Sequence, residues 1–194
     1  SFGAGSHDGW ILKLDGDGNV TWQKTYGAAG LQEAFAIQQT TDGGYIVAGG
    51  AYTSGTGSTD AWVMKLDSTG AVTWQKTYGG TGYDYAFSIQ QTADGGYIVG
   101  GETYSFGVGS YSIWLIKLDT SGAITWQKTY GGAAYQRTLS AQQTQDGGYI
   151  VAGWHQVSIA SNSDAFILKL DSSGSCGSCP FEGTSTAVVA DTTV

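Results

Sequence analysis

An all-β fold made of one repeated antiparallel sheet is predicted for this sequence by its internal periodicity and by its residue usage. The hexapeptide WQKTYG at 22–27 returns at 74–79 and at 126–131, a spacing of 52 each time. The segment QQTTDGGYIV at 38–47 recurs with one change from Gln90 and from Gln142, and Trp10, Trp62, Trp114 and Phe166 each lead an apolar run that ends in Lys-Leu-Asp. No insertion breaks the register, so the unit is a structural module. The chain carries 32 Gly, 7 Trp and 12 Tyr against one Pro and one Met, with 12% charged residues. That profile suits short strands joined by tight glycine turns. No stretch shows the sustained i, i+3, i+4 apolar stripe of a helix.

Each unit offers four strand-like runs, exemplified by 34–40 (A), 45–49 (B), 61–67 (C) and 72–78 (D). Asp42-Gly43, Asp94-Gly95 and Asp146-Gly147 lie between A and B, where Asp-Gly favours a primed hairpin turn. Between C and D, Asp67-Ser68-Thr69-Gly70 and its equivalents end in a glycine suited to positive φ. Strand B (YIVA at 45–48) is apolar at successive positions, which implies burial on both faces. Strand D alternates Trp22, Lys24 and Tyr26 with Gln23 and Thr25 and reads as peripheral. A doubly buried inner strand and a solvated outer strand are what a β-propeller blade requires.

The predicted architecture is therefore a β-propeller of four-stranded antiparallel blades with a 52-residue repeat, present as a partial ring. Its units are a half blade of strands C and D at 1–26, full blades at 27–78 and 79–130, a last blade of strands A to C at 131–174, and a Cys-containing, Thr/Val-rich tail at 175–194. Joining the final A-B-C to the initial C-D would duplicate C, so further repeats upstream of Ser1 are expected. The tail is expected to close the last blade as its outer strand or to act as a linker.

The segments DGGYIV at 94–99 and WQKTYGG at 74–80, with the intervening Lys-Leu-Asp, resemble the bacterial exported β-propeller repeat proteins over nearly the whole chain up to about Gly174. The resemblance implies an extracellular, cell-surface or periplasmic location and a scaffold or recognition role. Leu66-Asp67-Ser68-Thr69-Gly70 followed by Trp74 is more loosely similar to the docking motif of pyrroloquinoline-quinone-type propellers, one residue short between Asp and Thr-Gly, and implies only the architecture.

Net charge is −8, and the eight basic residues are spread along the chain without a cluster. A nucleic-acid partner is therefore not expected, nor is a membrane span, since no apolar run reaches about 18 residues. Asp15-Gly16-Asp17-Gly18-Asn19 imitates the opening of an EF-hand loop, but Val20 occupies the sharp-turn position and no Glu stands twelfth. A C–D turn is the expected reading, with no metal. Cys176 and Cys179 form a C-x-x-C pair followed by Pro180. A short disulfide loop is expected in an exported chain, with free thiols and redox catalysis as the alternatives. Lys24, Lys76 and Lys128 are expected at blade edges, where charge discourages edge-to-edge pairing.

No catalytic constellation emerges. Of the three glutamates, Glu33 and Glu102 lie on different blades and Glu182 in the tail, and only His7 and His155 exist to serve a nucleophile. A non-enzymatic protein without a cofactor is expected. Variation among the repeats concentrates in the D–A and B–C connections, which emerge on one side of a meander. Glu33, Tyr83, Asp84, Tyr85, Glu102, Tyr135, Arg137, Trp154 and His155 on that side are the candidate binding residues, for a protein or glycan partner. The runner-up reading is a surface-layer or filament component formed by self-association. A hydrolase or quinone-type enzyme completed by residues of missing blades ranks third.

Overall fold

The computed structural model describes residues 7–28, 30–52, 58–107, 110–132, 135–156, 163–177, 182–184 and 188–191, the last two stretches as backbone. It is all-β, and among the described residues there is no helix. A first sheet pairs β1 (Gly9–Leu14) with β2 (Val20–Tyr26). A second contains β3 (Gln32–Gln39), β4 (Tyr45–Tyr52), β5 (Thr59–Leu66) and β6 (Val72–Gly79), and a third β7 (Asp84–Gln91), β8 (Tyr97–Thr103), β9 (Ser112–Leu118) and β10 (Ile124–Tyr130). The fourth holds β11 (Tyr135–Gln143), β12 (Tyr149–Gln156) and β13 (Ser163–Leu170). All are antiparallel meanders. No ring closes among the described residues.

The tail departs from expectation. Its short strands β14 (Glu182–Thr184) and β15 (Val188–Asp191) do not complete the fourth sheet. They pair antiparallel with the outer strands β10 and β6. Lys128 and Lys76 sit within those pairings, opposite Thr184 and Asp191, so single lysines do not keep the two edges unpaired. Asp191 opposite Lys76 offers an opposite charge, which favours pairing.

The A–B turns also differ from the primed form. Gly43 N–H donates to Thr40 O (2.9 Å), Thr40 N–H donates to Gly44 O (2.9 Å), and Gly43 has φ 82°. No described residue other than glycine has positive φ. Asp42 stays right-handed because its carboxylate is used locally. It accepts from the Thr40 hydroxyl (2.5 Å), the Gly44 N–H (2.9 Å) and Lys65 Nζ (2.8 Å). One left-handed glycine after an ordinary turn then closes the hairpin. The C–D turns close the same way, with Gly70 at φ 76° and Asp67 Oδ1 accepting the N–H groups of Thr69 and Ala71. Asp15 of the EF-hand-like segment is likewise taken up by the turn amides of Asp17 and Asn19.

Strands β4, β5, β8 and β9 are buried almost throughout, because each inner sheet is apolar on both faces. Three core clusters fill the three joints between consecutive sheets. In the middle joint, Ile46, Ala48, Ala61 and Val63 of the second sheet meet Tyr97, Val99, Trp114, Ile116 and Leu118 of the third. The closest approaches between sheets involve β3, β7 or β11, whereas the D strands β2, β6 and β10 do not draw together in this way.

Polar contacts fix the joints. Gln38 Oε1 accepts the N–H of Gln91 (2.6 Å) in the next sheet, and Gln91 Oε1 accepts the N–H of Thr41 (2.9 Å) in return. Gln90, Gln143 and Ala93 repeat the exchange one joint further on, which accounts for the paired glutamines of the repeat. Tyr26 and Tyr78 donate to the carbonyls of Gly70 (2.7 Å) and Gly122 (2.6 Å), and Tyr130 donates to Gly174. A Cβ on Gly122 would lie 2.9 Å from the Trp74 indole, so that glycine is required for space as well as for its φ of 76°.

Gly122→Ala is therefore expected to cost more stability than Tyr78→Phe. The latter loses a buried hydrogen bond, about 1–2 kcal/mol, while the former adds left-handed strain to a clash with Trp74. Urea denaturation of both variants measures the order.

Candidate functional site

The D–A and B–C connections do share one end of the sheets. The first residues of β3, β7 and β11 pair with the last residues of β4, β8 and β12, as in Gln32 with Ala51, Asp84 with Thr103 and Tyr135 with Gln156. Tyr104 N–H donates to Tyr83 O (2.8 Å), and Tyr52 N–H donates to Leu31 O (2.7 Å), tying the connections to each other.

A row of aromatic rings crosses this end. Tyr104 lies 5.2 Å from Tyr111, Tyr111 lies 4.9 Å from Tyr135, and Tyr135 stacks on Trp154 at 5.2 Å with an interplanar angle of 12°. Tyr83 and Tyr104 are exposed. Of the residues singled out from the sequence, Glu102, Tyr135, Arg137 and Trp154 come together here. Tyr104, Tyr111 and Phe87 belong to the same cluster and were not singled out, although Tyr104 sits at the B–C connection, where the repeats differ most.

Arg137 lies at the centre. Its Nε donates to Glu102 Oε2 (2.8 Å) and its Nη2 to Glu102 Oε1 (3.0 Å), a forked ion pair across the joint between third and fourth sheets. The Glu102 side chain is 1% exposed and that of Arg137 34%. The guanidinium carbon sits 4.7 Å from the centre of the Phe87 ring and 5.9 Å from that of Trp154. The glutamate, ahead of the cost of burial, holds the Arg137 pKa above its ordinary value. Tyr111 is pushed up to about 12 by burial and then by the Glu102 charge.

The same two positions meet differently at the preceding joint. Gly50 stands where Glu102 does and Tyr85 where Arg137 does, and a Cβ on Gly50 would lie 2.9 Å from the Tyr85 ring. Variation at 50, 85, 102 and 137 is thus paired across joints: a large ring against a glycine in one, opposite charges in the other. Arg137 is consequently a structural partner of Glu102, and truncating it is not neutral for folding. Glu33 occupies the equivalent place on β3, in a different sheet from the cluster. His155 follows Trp154 on β12 and by strand alternation faces the other way.

Asp84 is buried, not displayed. A Cβ on Gly79 would lie 2.1 Å from Asp60 Oδ1 and 2.8 Å from Asp84 Oδ2, so the two carboxyl groups flank one point. Asp84 Oδ2 accepts from Ser105 Oγ (2.5 Å) and from Gly80 N–H (3.0 Å), while Oδ1 of both aspartates lacks a hydrogen-bond partner. Desolvation, followed by the charge of Asp84, raises Asp60 to about 6, and desolvation raises Asp84 as well. At the equivalent places the first joint has Asp8 beside Gln32 and the third has Ser112 beside Gln136 around Gly27 and Gly131. Only the middle joint opposes two acids.

Cys176 packs at the edge of the third core cluster. Cys179 lies outside the described residues, so the Cys176–Cys179 disulfide remains an expectation. No described helix is long and apolar enough to cross a membrane. No family model matches the chain, and no curated protein matches it either.

Arg137→Ala is expected to lose about 3–5 kcal/mol by stranding the buried Glu102 charge. The double variant Glu102→Gly with Arg137→Tyr, which copies the preceding joint, is expected to recover most of it in the same urea titration.

The pH dependence has two opposing arms. Asp60, with its pKa raised to about 6, contributes stability that is complete below the ordinary carboxylate range and lost as pH rises through 6. Asp94 is lowered to about 2 because contacts from Thr92 and Lys117 outweigh desolvation, and Asp42 and Asp146 are lowered chiefly by Lys65 and Lys169. Their contribution is present above pH 4 and lost as pH falls. Asp60→Asn is expected to raise the thermal midpoint by a few degrees at pH 7.5 and to change it little at pH 4, read by circular dichroism.

Proposed function

We propose that this chain is part of an exported, non-catalytic β-propeller whose connection-bearing face recognises a protein or glycan partner. The stacking of similar four-stranded sheets supports the propeller reading, because their mutual approach is concentrated on the A-type strands β3, β7 and β11, as radiating blades require. The observation that carries the recognition reading is the aromatic row Tyr104, Tyr111, Tyr135 and Trp154 with exposed Tyr83 beside it. Tyrosine and tryptophan offer broad apolar faces with polar edges at little entropic cost, which suits sugar rings and protein surfaces alike.

Glu102 is committed to Arg137, and Asp84 is enclosed, so neither supplies a free carboxylate to a substrate. This supports a binding role over hydrolysis. The extracellular location rests on the resemblance of the repeat to exported propeller proteins.

Screening the chain against immobilised glycans and surface proteins tests the proposal. Tyr83→Ala and Tyr104→Ala alter exposed rings and are expected to weaken a ligand found in that screen by about tenfold or more, with the thermal midpoint unchanged. Affinity unaffected by both substitutions would remove the aromatic row from the binding face.

A further inference from the structure

One asparagine interrupts the repeat at the turn between β1 and β2. Asn19 stands where the other units carry Ala71, Ala123 and Ser175, and Val20-Thr21 follows it. Asparagine, then any residue but proline, then a hydroxyl residue is the acceptor sequence for N-linked glycosylation of exported chains. Thr21 belongs to the repeated frame, since Thr73 and Thr125 stand at its equivalents, so the change to asparagine alone completes the acceptor. The chain's other asparagine, Asn162, is followed by Ser163-Asp164 and lacks the hydroxyl two places on.

The fold leaves this side chain open. Asn19, Val20 and Thr21 are all exposed. That exposure belongs to the turn position and not to the place of the first sheet in the chain. Ala71 with Thr73, and Ala123 with Thr125, are exposed too, in sheets that have a packed neighbour on either side. Nor does the turn need the amide. Asp15 Oδ1 accepts the Asn19 N–H (2.8 Å) as Asp67 Oδ1 accepts the Ala71 N–H (2.9 Å), where no side-chain amide exists. Asn19 Nδ2 reaches the Asp15 carboxylate only at 3.2 and 3.4 Å, beyond the length of about 2.7–2.9 Å that marks strong charge-assisted bonds. Leu14 pairs with Val20 as Leu66 does with Val72, in the row that holds Gln39 and Tyr45, so the turn lies at the end of the sheets opposite the D–A and B–C connections. A sugar there leaves the recognition face clear.

We infer that Asn19 is an N-glycosylation site that takes an oligosaccharide from a lipid-linked pyrophosphate donor. In the transfer, Nδ2 forms a bond to the anomeric carbon of the first sugar while the bond from that carbon to the pyrophosphate oxygen breaks. The lipid pyrophosphate leaves, and the amide gives up one proton to solvent. Because such donors are displayed outside the cytoplasm, this assignment rests on the exported location proposed above and not on the aromatic row.

Incubating the purified 194-residue chain with a bacterial oligosaccharyltransferase and its lipid-linked donor, followed by intact-mass measurement, tests the site. The chain is expected to gain the mass of one donor oligosaccharide, carried on the tryptic peptide 14–24. Asn19→Ala copies the turn of the next two units, so its circular dichroism is expected to be unchanged and its glycan lost. Thr21→Val is expected to lose the glycan as well, and Thr21→Ser to keep it. Purified components make the result independent of where the chain resides, so failure here strikes the acceptor and leaves the location to a separate measurement. A chain that gains no glycan would overturn the proposal, as would a glycan that persists in Asn19→Ala.

Discussion

A sheet with apolar side chains on both faces cannot be left in water, and this constraint organises the molecule. Strands β4, β5, β8 and β9 bury nearly every residue, which no four-stranded sheet achieves alone. Each therefore needs a neighbour on either side, and the repeat supplies neighbours of matching shape. Large residues facing backward, such as Trp62 and Trp114, meet small and branched residues facing forward. The polar framework is subordinate to that fit: Gln38 and Gln91 set the alignment of two sheets already driven together by burial of their faces.

The joints also explain what varies. A position that faces a neighbouring sheet can change only if its partner changes, which is why Gly50 goes with Tyr85 and Glu102 with Arg137. The middle joint makes a comparable exchange at its rim, where Asp60 and Asp84 stand in for an acid and an amide. Two acids lack the donor that glutamine offers, and burial raises the pKa of both. The displayed aromatic row is built on top of this paired substructure. Tyr135 and Trp154 stack on each other and lie against the Arg137 guanidinium.

Much of the fold was legible because it repeats. Strand order, the buried B strand, the peripheral D strand and the glycine of each C–D turn follow from spacing and turn chemistry. The A–B turn was misread because Asp-Gly alone does not reveal that Lys65 and Thr40 will hold Asp42 in the right-handed region. The partners of the tail were not legible for a different reason: outside the repeat, nothing local specifies which edge a Thr/Val-rich strand will join, and its short strands pair with β6 and β10. At the candidate site, the comparison of repeats pointed to the end of the sheets where the D–A and B–C connections meet. It did not separate displayed side chains from joint partners, since Arg137 and Asp84 differ between units as freely as Tyr83 does. Looking for correlated change between a B–C residue and the following D–A residue would have made that distinction.

The buried hydroxyls of Tyr26, Tyr78 and Tyr130 donate to Gly70, Gly122 and Gly174, each in the module immediately following. The repeated joints thus couple each sheet to its neighbours, while β15 reaches back from beyond the fourth sheet to pair with β6 of the second. Damage to the middle joint would loosen the second and third sheets from each other. Cooperativity is a property of the number of consecutive intact couplings, not of any single sheet.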